Sequence, residues 1–206
     1  MNITRTLAAT AAAVAAVTAL GGCAPLIVGG AMAGGALMVI DRRTSGTQVE
    51  DQAIELKAAS RVRDLATLGH VNITSYNRML LVTGEVPTED DKRRVEEALL
   101  RVEQVRSVLN ELEVTGNSSI TSRSNDSLLS TKVKATFVDT KDLQAPAIKV
   151  ITERGIVYLM GTVTEREATR SADVAASVPG VKKVVRAFEV ITESELAGIQ
   201  SRSTPR

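Results

Sequence analysis

The chain has 206 residues, 25 of them basic and 24 acidic, for a formal net charge of +1. That balance supplies no field to attract a nucleic-acid backbone, and the few aromatics (Tyr76, Phe137, Tyr158 and Phe188) make no base-stacking platform. A single cysteine excludes an internal disulfide framework, and a single histidine, His70, leaves little for a His-based triad.

Residues 1–22 carry one basic side chain, Arg5, then an apolar run over 7–20, then Gly21 and Gly22 before Cys23. A charged start, a short apolar core and small residues at its end make an export signal. The core is too short and too alanine-rich for a permanent span, which needs about 20 apolar residues. The stretch LGGC at 20–23 resembles the lipobox of bacterial lipoproteins. The resemblance implies a lipoprotein signal peptide over 1–22, cleavage before Cys23, and diacylglyceryl and acyl groups on Cys23, with no other cofactor. Several chains anchor firmly, since each buried methylene contributes about 0.8 kcal/mol. Ala24, where an aspartate would favour the inner membrane, points to the outer one.

Residues 24–40 are uncharged, 17 in number with four glycines. Two readings stand: a marginal second span with a GxxxG spacing at Gly30 and Gly34, or a flexible leader. Residues 23–46 are taken as the lipidated N-terminus and leader, closed by the charges and turn formers DRRTSG.

An internal repeat follows. LLVTGEVPTEDDKRRVEEAL from Leu80 matches VYLMGTVTEREATRSADVAA from Val157, with Gly84 on Gly161, 77 positions apart. VRSVLNELEV from Val105 matches VKKVVRAFEV from Val181, and DQAIELKAASRV from Asp51 matches DSLLSTKVKATF from Asp126. The copies cover 47–114 and 126–192. Between them 115–125 is polar and reads as a linker, and 193–206 reads as a disordered tail.

Each copy opens with a helix. Ile54, Ala58 and Val62 make its apolar stripe in the first; Leu129, Val133 and Phe137 make it in the second, with Asn125 or Asp126 as N-cap. Alternating strands follow, with Val71, Ile73 and Ser75, then Ile148, Val150 and Thr152, facing one way. Asn77 and Gly155 supply positive φ to tight turns. The return strands end at Gly84 and Gly161. Thr88 and Thr164 cap the next helices over acidic first turns. Val95, Leu99 and Val102 face inward there, as do Ala168, Ala172, Ala175 and Ala176. Pro179-Gly180 stops the second of these helices. The closing strands turn Val105, Val108, Leu112 and Val114 inward, and Val181, Val184, Phe188 and Val190. This α-β-β-α-β order, twice, is an α+β fold with two helices on a three-stranded mixed sheet.

The order and residues resemble the BON domain, most closely in VYLMGTV at 157–163 and GVKKV at 180–184. The first copy departs at Asn77-Arg78, in place of a hairpin glycine, and at Glu103-Gln104, in place of Pro-Gly. With the lipobox and DRRTSGTQVED, the whole resembles dual-BON outer-membrane lipoproteins. The resemblance implies a periplasm-facing protein on the inner leaflet of the outer membrane that supports membrane integrity. It implies binding of anionic phospholipid, phosphatidylglycerol or cardiolipin, through the first helix of the second copy, where Leu128, Lys132, Val133, Lys134 and Val138 lie.

The residues give that helix a local motive. Leu128 and Val138 fall off the buried stripe, beside Lys132 and Lys134. Exposed apolar groups flanked by lysines suit an interfacial helix; the same groups packed against the first copy or the linker suit a protein adaptor for outer-membrane assembly machinery. Lys182, Lys183 and Arg186 read as a solvated face or edge protection. His70 reads as structural or solvated. Neither a Cys/His zinc cluster nor a P-loop is present in the sequence, and no enzyme is expected.

Overall fold

The computed structural model describes residues 41–203, apart from 64 and 66–68. The expected signal peptide, Cys23 and the leader as far as residue 40 lie outside these residues. Among the described residues the first copy runs α1 (Ser45–Arg63), β1 (His70–Tyr76), β2 (Met79–Val86), α2 (Glu89–Leu100) and β3 (Ser107–Val114). The second runs α3 (Ile120–Asp139), a 3-10 turn (Ala145–Ala147), β4 (Lys149–Glu153), β5 (Ile156–Thr164), α4 (Glu165–Ala176) and β6 (Lys183–Ile191), and α5 (Glu193–Ser203) follows. The expected order is present twice.

Each sheet has its return strand in the middle: β2 is antiparallel to β1 and parallel to β3, as β5 is to β4 and β6. The parallel third strand follows from the helix that carries the chain back across the sheet. Tyr76 pairs with Met79 and Glu153 with Ile156, so each hairpin turns through two residues. Asn77 and Arg78 have φ of 47° and 65°, and Arg154 and Gly155 have 53° and 80°. Positive φ at both positions twists the loop to match the strands. At the other departure of the first copy, Gln104 adopts φ 69° where Gly180 has 105°.

Gly84 and Gly161 do not end their strands, which continue to Val86 and Thr164. A Cβ on Gly84 would stand 1.9 Å from the His70 carbonyl oxygen, and one on Gly161 2.5 Å from that of Ala147. These glycines permit close approach of neighbouring backbone rather than breaking the chain.

The stripes of α1 and α3 are buried as expected, Ile54, Ala58 and Val62 against Leu80, Val82, Val95 and Leu99, and Leu129, Val133 and Phe137 against Val157, Leu159, Ala168 and Ala175. Thr88 caps α2, and Thr164 and Glu167 form a reciprocal capping box on α4. The inward face of α4 differs from expectation. Ala168, Ser171, Val174 and Ala175 are buried, Ala172 is half-buried and Ala176 is exposed, because the helical stripe advances by three and four residues and passes 176 by. Val114 and Val190, expected inward, are exposed near the ends of edge strands.

The second face of each sheet is also covered, by the other copy. Tyr76, Met79, Leu81 and Leu109 of the first pack with Ile151, Ile156, Tyr158, Met160 and Ala187 of the second. The result is four layers, with a helix layer outside each sheet. Polar pairs rim the seam: Asn72 Nδ2 donates to Glu153 Oε2 at 2.8 Å, Arg154 meets Glu113 at 2.9 Å, and Lys149 and Arg106 reach Glu55 and Glu189, each at 3.2 Å.

Three boundaries move. Ser119 caps α3, its Oγ accepting from Ser122 N at 3.1 Å, so the linker shrinks to 115–119 and neither Asn125 nor Asp126 is the cap. The expected disordered tail folds as α5 through residue 203, because Thr192 and Glu195 cap it reciprocally and Leu196 is buried. Residues 41–44, expected in the flexible leader, are docked by buried arginine–carboxylate pairs, and Ser45 already begins α1.

Candidate lipid-facing helix

At 100° per residue, the buried stripe of α3 leaves one line of side chains pointing outward: Ile120, Ser124, Leu128, Thr131, Ala135 and Val138. Ile120, Leu128 and Val138 are 82%, 62% and 73% exposed. Leu128 and Val138 therefore pack against neither the first copy nor the linker. Lys132 and Lys134 stand on opposite flanks of this line, exposed, and neither has an ion-pair partner among the described residues.

Val133, which the family resemblance set on the lipid-facing helix and the apolar periodicity set on the buried stripe, is fully buried among the core side chains of the second copy and cannot face a bilayer. It lies on the stripe of Leu129 and Phe137, half a turn from the outward line. Ile120, missed because it was assigned to the linker, extends that line by two turns.

What fixes α3 on its sheet is a carboxylate inside the helix. Asp126 is buried, and its oxygens accept from Arg154 N at 2.9 Å and Gly155 N at 2.8 Å, the two amides of the hairpin turn. Asp51 repeats this in the first copy, accepting from Asn77 N and Arg78 N at 2.8 Å each, from Ser75 Oγ at 2.7 Å and from Arg43 Nη1 at 2.7 Å. Burial pushes the Asp51 carboxyl up, and these donors outweigh it and hold it below its ordinary value. The repeat alignment that pairs Asp51 with Asp126 was the available signal for both.

Beside α3 lies a cavity of about 350 Å³ whose lining includes Asn125, Leu128, Lys132, Gly180 and Lys182. Lys182 has no ion-pair partner among the described residues, and its aliphatic stem lies over Gly155. Lys183 is exposed on the edge strand β6, and Arg186 there pairs with Glu165 at 3.2 Å. His70 is half-buried, its Nε2 3.1 Å from Asn72 Nδ2. Among the described residues no three His, Cys, Asp or Glu side chains are grouped to hold a metal ion.

The BON domain family matches residues 50–116 and 125–192. The chain is 40% identical over 176 residues to the outer membrane lipoprotein DolP of Haemophilus influenzae, covering 84% of this chain and 90% of that one. It is 30% identical over 155 residues to a 21 kDa hemolysin of Actinobacillus pleuropneumoniae, with 74% and 80% covered. It is 26% identical over 144 residues to osmotically-inducible protein Y of Escherichia coli, with 68% and 72% covered. These relatives indicate no catalytic family. The chain belongs to the BON-domain family, as a two-copy lipoprotein of the outer membrane of a Gram-negative bacterium.

Proposed function

We propose that the protein is held by acyl groups on Cys23 to the inner leaflet of the outer membrane, faces the periplasm, and supports membrane integrity by engaging anionic phospholipid through α3. The observation that carries the reading is the outward line of Ile120, Leu128 and Val138 between two exposed lysines that have no ion-pair partner among the described residues. Such a face inserts shallowly while its cations meet the headgroups. Lys132, shared with the adjoining cavity, and Lys182 offer two cations to one phosphate there. Each cation contributes about 1 kcal/mol near a charged leaflet.

The chain from Asp41 onward, sedimented with vesicles, tests this without the anchor. Binding to phosphatidylglycerol or cardiolipin but not to phosphatidylcholine, weakened by salt and removed by Leu128→Glu with the fold intact, is the expected result. No sedimentation with either vesicle type overturns it. The exposed Val49 and Leu56 on α1, in the opposite outer layer, favour a second reading, in which that face docks a protein of the assembly machinery.

A further inference from the structure

The stretch that leads from the N-terminus into α1 is built into the seam between the copies. Arg42 has a side chain only 2% exposed. Its Nη1 and Nη2 donate to Glu167 Oε2 and Oε1 at 2.7 Å each, and Nη1 also donates to the Thr162 carbonyl at 2.8 Å. Arg43 donates to Asp41 and Asp51 and lies over the Tyr76 ring, 4.2 Å from its centroid. Adjacent residues thus bind opposite copies, Arg42 the second and Arg43 the first.

Thr162 shows why they are needed. The pairing of β4 with β5 ends at Lys149 and Met160, so β5 runs on past its neighbour. The N–H and C=O of one strand residue point to the same side, and at Thr162 that side has no strand to meet them. Tyr76 Oη, from the first copy, accepts from Thr162 N at 3.1 Å, and Arg42 takes the carbonyl. Glu167 joins the same network, because its Oε2 also accepts from Thr164 N at the start of α4. Without Arg42, Glu167 is a buried carboxylate that has lost its paired cation, a costly state.

We infer that residues 41–44 are a clasp: the docked, face-to-face arrangement of the two sheets depends on the segment that connects the body to its N-terminal leader. Each copy has its own helix-covered core, so release of the clasp loosens the seam before it loosens either core. A pull on the leader is felt first at Arg42 and Arg43. The inference stands without lipid binding, because it rests on contacts inside the body.

Hydrogen exchange on the full-length chain in detergent micelles tests it, with Arg42→Gln against the natural sequence. The expected result is amide exchange at Thr162 faster by about tenfold or more. Leu80 and Leu159, each in a helix-covered core, keep their protection, and heat unfolding separates into two transitions. Equal acceleration at all three positions with one transition, or no change at any, overturns the inference. If Arg42→Gln does not fold, Arg42→Lys, which keeps the charge and loses the fork, is read in the same way.

Discussion

Removing the Asp51 carboxylate is the sharpest test of how each repeat is held together. In Asp51→Ala, two turn amides, the Ser75 hydroxyl and the Arg43 guanidinium lose a shared acceptor, all at 2.7–2.8 Å. Taking one partner from a buried ionic network costs about 3–5 kcal/mol, a large part of the roughly 5–15 kcal/mol that stabilises a domain. Asp126→Ala leaves only two turn amides unpaired, for which about 2–3 kcal/mol is expected. The order matters more than either figure: Asp51 exceeds Asp126 because it also meets a hydroxyl and a cation. Urea unfolding of the chain from Asp41 onward, at constant slope, measures both. A loss below about 1 kcal/mol for Asp51→Ala, or a larger loss for Asp126→Ala, refutes the reasoning.

The same carboxylate sets a pH dependence. Its folded pKa lies below the ordinary 3.8, so its contribution is present above that value and is lost as pH falls through the folded pKa; Asp51→Asn flattens the acid limb of stability against pH. Glu153 has the opposite sign. Burial raises it, and Glu85 adds to that against a hydrogen bond from Asn72. Glu153→Gln is therefore expected to stabilise at pH 7 and to have no effect well below pH 4.5, by the same denaturation measured at both pH values. Gly84→Ala places a methyl against the His70 carbonyl at positive φ, and a loss of roughly 3 kcal/mol or more, or failure to fold, is expected. Gly180→Ala, with φ 105° but its nearest neighbour, Leu129, at 3.5 Å, is expected to lose only about 1 kcal/mol in thermal unfolding.

The repeat made most of the fold legible. Two copies of one pattern gave element order, helix stripes and hairpin turns, since each is a local periodicity read twice. What stayed hidden involved pairings distant in sequence. Arg42 and Glu167 are 125 residues apart, and nothing local marks either as the other's partner. The sheet-to-sheet seam was hidden because a central strand such as β5, buried on both faces, carries the alternation of neither. The linker and tail were misjudged for a different reason: serine and threonine there cap helices, a role that resembles loop composition. On α3 the sequence located the outward face through Leu128 and Val138. The same periodicity already put Val133 on the buried stripe with Leu129 and Phe137; it entered the lipid-facing set only through the family resemblance, which identifies a helix and not one of its faces.

The account rests most on α3 being the surface that meets lipid. The chain from Asp41 onward has no cysteine, since the only one is Cys23, so an environment-sensitive dye can be placed at one position at a time. With phosphatidylglycerol vesicles, dyes at Ile120, Leu128 and Val138 are expected to shift to the blue, while a dye at Leu56, in the opposite layer, stays as in water. A shift at Leu56 with none at the three α3 positions would contradict the account and turn the molecule over on its membrane.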